Sequence, residues 1–134
     1  MASSIPKEVK NELIARLLPA VETTWKVALF TSVSNCLTQS TYAACTNEVA
    51  NGNGYTTGGA TLAGRTSGYV DTNNVYLDAT DSSWGTSTFT ARYAIAYETA
   101  TGKIRGRYDF GGDKTVSSGT LSIIWNTGGL LKLS

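Results

Sequence analysis

The sequence predicts a mainly β protein: an antiparallel β-sandwich or barrel-like domain with one short N-terminal amphipathic helix. Three observations point there. Short β-forming runs recur between Gly, Asn and Asp breaks at intervals of roughly 8–12 residues, the rhythm of antiparallel strands. Thr88–Tyr97 alternates with period two, setting Phe89, Ala91, Tyr93, Ile95 and Tyr97 on one face and Thr90, Arg92, Ala94 and Ala96 on the other. Threonine, suited to half-exposed pleated surfaces, occurs 20 times. The 134 residues are expected to form a single domain over 1–134. A chain of this size buries roughly two-thirds of its unfolded surface, enough for a core of its own.

The elements follow in order. Residues 4–18 read as the helix: Ser4 is placed to cap it, Pro6 suits the first turn and Pro19 ends it. Val9, Leu13 and Leu17, flanked by Ile14 and Leu18, form one apolar stripe. That stripe either packs on the domain's own sheet or docks on a neighbouring subunit, so Val9, Leu13 and Leu17 are candidate subunit contacts. The β-domain spans 25–133. Trp25–Ser32 is a dense β-forming run with the look of a strand covered on both faces. Residues 33–54 follow as a long polar loop with a helical turn around Tyr42–Cys45; loops this long usually carry a contact or a ligand. Gly58–Thr66 reads as a Gly-broken strand continued by Gly68–Asp71, and Val75–Ala79 as another. After Thr88–Tyr97 and a turn at Thr99–Gly102, Lys103–Phe110 runs back until Gly111–Asp113 breaks it. Thr120–Trp125 and Gly129–Leu133 read as a final hairpin around Asn126–Gly128.

Composition excludes several functions. The net charge is +1 and the charged share 16%, with no Lys/Arg cluster, so binding of nucleic acid through phosphate neutralisation is not expected. Histidine is absent, which removes the commonest general base and the Ser–His and Cys–His dyads. Two cysteines without histidine cannot close a four-ligand zinc site, and no metal or cofactor is expected. The N-terminal segment interleaves Lys7, Glu8, Lys10, Glu12 and Arg16 with its apolar residues, unlike a secretory signal. No stretch approaches the ~20 apolar residues of a membrane span, so synthesis in the cytosol and no membrane partner are expected.

Candidate chemical groups each have a plainer reading. Asp71, Asp78, Asp81, Glu98, Asp109 and Asp113 could supply a glycosidase carboxylate pair, but they fall mostly at strand ends and turns, where carboxylates satisfy backbone donors. The Gly-rich stretches lack the Lys-Ser/Thr helix start of a phosphate-binding loop and read as turns and bulges. Cys36 and Cys45, nine apart, are either a disulfide worth ~2–3 kcal/mol or two inert thiols. Trp25, Trp84 and Trp125 with seven tyrosines offer a sugar-stacking platform or, more simply, core. Trp84, in the turn-like Asp81–Gly85, is the one to watch.

Several segments in order carry a family likeness: Trp25–Ser32, Thr46-Asn-Glu-Val-Ala-Asn-Gly-Asn-Gly-Tyr-Thr-Thr-Gly-Gly-Ala-Thr-Leu62, Ser83-Trp84, Thr90–Tyr97, Tyr108-Asp-Phe-Gly111 and Ile124–Leu133. This succession resembles small virion structural proteins of tailed bacteriophages and their prophages, over nearly the whole chain from Trp25. Cys36 and Cys45 depart from that pattern. The resemblance implies a non-enzymatic virion protein, made in the host cytoplasm. Its expected role is a decoration or cement protein, homo-oligomeric and bound to the major capsid protein or other virion proteins. A neck, collar or tail position, or a carbohydrate-binding module on the virion, is the alternative.

Overall fold

The computed structural model describes residues 6, 8–10, 12, 24–64, 66–69, 75–125 and 131–133. It is mainly β, with seven strands among those residues: β1 (Trp25–Phe30), β2 (Ala60–Leu62), β3 (Thr66–Tyr69), β4 (Val75–Asp78), β5 (Ser82–Glu98), β6 (Ile104–Ile123) and β7 (Leu131–Leu133). The contacts gather in two compact units. The larger comprises Thr23–Leu62 and Asp81–Ile123; the smaller comprises Met1–Glu22, Ala63–Thr80 and Ile124–Ser134.

The larger unit is built on a four-stranded antiparallel sheet in the order β2-β1-β5-β6. β1 is the dense apolar run, and five of its six residues are buried, as expected of a strand covered on both faces. It pairs with β5 from Trp25↔Glu98 to Phe30↔Tyr93. Ala28 and Phe30 of β1 meet Ile95 and Tyr97 of β5, with Cys36 from the following loop, in one buried cluster. Leu37, Tyr42, Cys45, Tyr93 and Ile104 pack around it. The loop after β1 holds two short 3-10 turns, Cys36–Thr38 and Tyr42–Ala44; the second stands where the helical turn was expected.

Three expectations for this unit need correction. β5 starts at Ser82, six residues before the predicted Thr88, so Trp84 lies in a strand and is buried rather than displayed on a turn. Its alternation is also incomplete: Ala94 and Ala96, placed on the outer face, are fully buried because β1 and its loop enclose this stretch. β6 does not end at Gly111–Asp113 but runs on to Ile123. The pairs Ala91↔Lys114 and Tyr93↔Asp109 leave residues 110–113 facing Arg92 alone, so the glycines make a bulge inside one strand.

The smaller unit holds a three-stranded antiparallel sheet, β3-β4-β7. β3 is a strand separate from β2, not its continuation. β7 pairs with β4, Val75↔Leu133 to Leu77↔Leu131, and so does not close the predicted hairpin with Thr120–Trp125. Leu77 and Trp125 are buried here. Of the predicted helix, Glu8–Lys10 and Glu12 are helical, and the Lys10 amide donates to the Pro6 carbonyl at 3.0 Å. Val9 is 41% exposed. Leu13 and Leu17 lie outside the described residues. No helix among those residues is long and apolar enough to cross a membrane.

Candidate functional site: the Glu48 loop and the outer edge of β6

The segment from Thr31 to Gly59 is fastened along β1 where β2 stops. The Val49 amide donates to the Leu29 carbonyl at 2.9 Å and the Thr31 amide to the Asn47 carbonyl at 3.0 Å, so 47–49 takes the place of a paired strand. Glu48 is the hub. Its Oε2 accepts the Tyr42 hydroxyl at 2.6 Å; its Oε1 accepts the Tyr55 hydroxyl at 2.6 Å and the Gly58 amide at 2.7 Å. Tyr55 Oη in turn accepts the buried Leu29 amide at 3.0 Å. The Tyr97 hydroxyl donates to the Gly58 carbonyl at 2.7 Å, and its ring stacks on Tyr42 with centroids 4.4 Å apart.

These contacts set the chemistry of the tyrosines. Burial first, and then the Glu48 carboxylate, push the Tyr42 and Tyr55 hydroxyls well above the ordinary phenol range. Burial and the same carboxylate raise Tyr97 to about 12. All three stay protonated near neutrality, as donors rather than bases. A carboxylate accepting three hydrogen bonds from the loop has most of its acceptor capacity committed there.

Two glycines of the quoted Thr46–Leu62 segment are steric requirements. Gly59, at φ +83°, lies where a Cβ would stand 1.9 Å from the Val27 carbonyl oxygen. Gly54, at φ +90°, lies where one would stand 2.2 Å from Ser87 Oγ. Beside it the Thr88 amide donates to the Asn53 carbonyl at 2.9 Å, tying the loop to β5. Glu48, Tyr55, Gly54 and Gly59 therefore serve packing.

Sequence reasoning did not single out Glu48. The available signal was a lone carboxylate in a polar loop with tyrosines six residues before and seven after it.

The carboxylates that were singled out are dispersed. Glu98 is bound by Arg105 Nη2 at 2.6 Å, and that guanidinium holds its carboxyl below the usual glutamate range. Asp109 accepts from Arg92 Nε at 2.9 Å and the Gly111 amide at 2.8 Å, both of which lower its pKa. Asp78 accepts the Ala79 amide at 2.8 Å. Asp81 and Asp113 are exposed, and Asp71 lies outside the described residues. Among the described residues no group of three or more metal-binding side chains occurs. An open groove of about 260 Å³ lies between the loop and β5, lined by Val49, Ala50, Asn53, Thr88 and Phe89 among others, with no titratable side chain in its wall. Trp25, Trp84 and Trp125 are all buried, so none of them presents a face for sugar stacking.

The other notable feature is the outer edge of β6. Its first residues are covered: the Ile104 amide donates to the Ser40 carbonyl at 3.0 Å, and the Arg107 guanidinium grips the Gln39 carbonyl from Nε at 2.9 Å. Beyond Tyr108, among the described residues, β6 has β5 as its only strand neighbour. Among the described residues, the outward backbone groups of this run therefore have no strand partner, the condition in which a strand edge accepts further pairing.

Compared with known proteins, the chain matches no family model, no curated protein and no solved structure.

Proposed function

We propose that this chain is a non-enzymatic structural protein of a tailed-bacteriophage virion, most simply a decoration or cement protein bound to the major capsid protein. The observation that carries the reading is the use made of the quoted Thr46–Leu62 segment. Its carboxylate, its tyrosine, Gly54 and Gly59 are spent on fixing a loop against a sheet, which suits a body whose task is to hold a shape. The resemblance in sequence supplies the setting. The uncovered run of β6 supplies a surface by which such a body joins its neighbours, since an open strand edge pairs with further backbone. Repeated copies on a symmetric shell give each weak contact many repeats.

The test is quantitative proteomics on separated DNA-filled heads and isolated tails from the phage that encodes the chain. Recovery with heads is expected. Recovery with tails alone would move the protein to the neck, collar or tail, and absence from both would overturn the virion reading.

A further inference from the structure

We infer that Cys36 and Cys45 are a built dithiol that closes to an intramolecular disulfide when the folded protein meets a low-molecular-weight disulfide. This inference is independent of the virion reading.

The juxtaposition is fixed by the side chain of Asn35, the residue before Cys36. Its Nδ2 donates to the Ala44 carbonyl at 3.2 Å, and its Oδ1 accepts the Thr46 amide at 2.8 Å and the Thr46 hydroxyl at 3.2 Å. Asn35 thus clamps the residues on either side of Cys45, which holds the second cysteine in the same packing cluster as the first and within its electrostatic reach. Each cysteine ends or begins a 3-10 turn, and both belong to the packing around Phe30, Ile95 and Tyr97. A buried cysteine on its own is ordinarily a small apolar filler. Two of them, pinned to one another by a side chain that bonds to both neighbours of the second, form a pair with a shared chemistry.

The two thiols differ in access, and the difference orders the reaction. Cys36 is fully buried, with its amide held by Ser34 Oγ at 3.1 Å. Cys45 is half-buried, its thiol directed to the Thr41 carbonyl at 3.6 Å. Burial pushes both thiols up, Cys45 to about 11, with the neighbouring Cys36 as the next cause. The Arg107 guanidinium works in the opposite direction on each and favours whichever is ionised. The Cys45 thiolate attacks one sulfur of the external disulfide; a Cys45–S–S–R bond forms and one thiolate leaves. The Cys36 thiolate then attacks Cys45 Sγ, the Cys36–Cys45 bond forms and the second thiolate leaves. The protein dithiol loses two electrons and two protons, and the external disulfide becomes two thiols. High thiol pKa values make the closure slow near neutrality and faster as pH rises.

The consequence is local. A Cys36–Cys45 bond ties the two 3-10 turns together within the cluster that also holds Tyr42 and Tyr97, stiffening the loop that the Tyr42–Glu48 hydrogen bond already fastens.

The experiment incubates the folded protein with oxidised glutathione and reads intact mass, peptide map and thiol count. The expected result is the loss of two hydrogen masses, a single linked pair of peptides carrying Cys36 and Cys45, and no remaining alkylatable thiol. The urea midpoint of the oxidised protein is expected above that of the reduced one. Cys36→Ser is expected to arrest the reaction with glutathione held on Cys45, and Cys45→Ser to leave Cys36 unmodified. A stable glutathione adduct on the wild-type chain, chains linked to one another, or two alkylatable thiols after prolonged exposure at pH 8.5–9, roughly the pKa of a free thiol, would overturn the inference. The wild-type peptide map decides the matter even where a serine variant fails to fold.

Discussion

The β5–β6 hairpin is two different structures along its length. Near its turn, Ala94–Tyr97 is buried on both faces, paired to β1 on one side and to β6 on the other. Farther along, Ser83, Gly85, Thr86, Thr88 and Thr90 are exposed, and most of the facing stretch of β6 is too. Thr86 and Ser118 there adopt positive φ (49° and 48°), which residues with a side chain seldom do. Three of the four register shifts also fall between Trp84 and Tyr93. The same strand pair is thus buried on both faces at one end and, at the other, a bulged ribbon buried on one face only, along Ser82, Trp84 and Ser87, whose β6 edge has no strand partner among the described residues. The lesson is that hydrogen bonding between two strands does not by itself make a rigid element; burial by a third strand and a loop does.

Glycine substitutions test that contrast most severely. Gly59→Ala forces a methyl into the Val27 carbonyl at a positive φ, and is expected to cost about 4 kcal/mol or to prevent folding. Gly111→Ala, at a similar φ of +79° in the β6 bulge but with nothing within 4 Å of the new carbon, is expected to cost about 1 kcal/mol. Urea unfolding of the two variants measures both, and equal losses would dissolve the distinction.

Glu48→Gln comes next. It removes the charge that three donors share, and the amide nitrogen it introduces meets donors on one side. A loss of about 2 kcal/mol is expected in the same assay, within the range for hydrogen bonds to charged groups. Amide exchange in this variant is expected to quicken in Glu48–Gly59 and to stay unchanged in the Lys114–Thr120 run. Uniform quickening would contradict the separation of the two regions.

The smallest effect belongs to the Glu98–Arg105 pair, beside the hairpin turn. The folded carboxyl has a lowered pKa, so its contribution is fully present above the ordinary glutamate value of about 4.3 and disappears as pH falls through the lower folded value. Glu98→Gln is therefore expected to lower stability at pH 7 by the pair's own small contribution and to converge with the wild type below about pH 4.5, flattening the acid decline. An unaltered acid limb would show that the pair adds nothing.

How much of this was legible in the sequence follows from the same contrast. Trp25–Phe30 announced itself because a strand buried on both faces is written as an unbroken apolar run. Thr88–Tyr97 was visible through its alternation. Trp84 and the second half of β6 were misread because bulges break the period of two, and residues such as Gly111, Gly112 and Ser118 look like turn signals whether a strand ends or only kinks. The partner of Leu131–Leu133 was misassigned because proximity along the chain favoured a hairpin, while the strand pairs with Val75–Leu77. Glu48 was quoted within a motif without a role, since a single carboxylate in a polar loop carries no periodicity. Its meaning appears only when Tyr42, Tyr55 and Gly58 converge on it.

The central claim is that this chain is a building element of a particle, and counting tests it most directly. Absolute quantification against the major capsid protein in purified particles is predicted to give hundreds of copies, one or more for each repeated site of a shell. A virion preparation free of the chain, or a purified chain that turns over a substrate, would contradict the account.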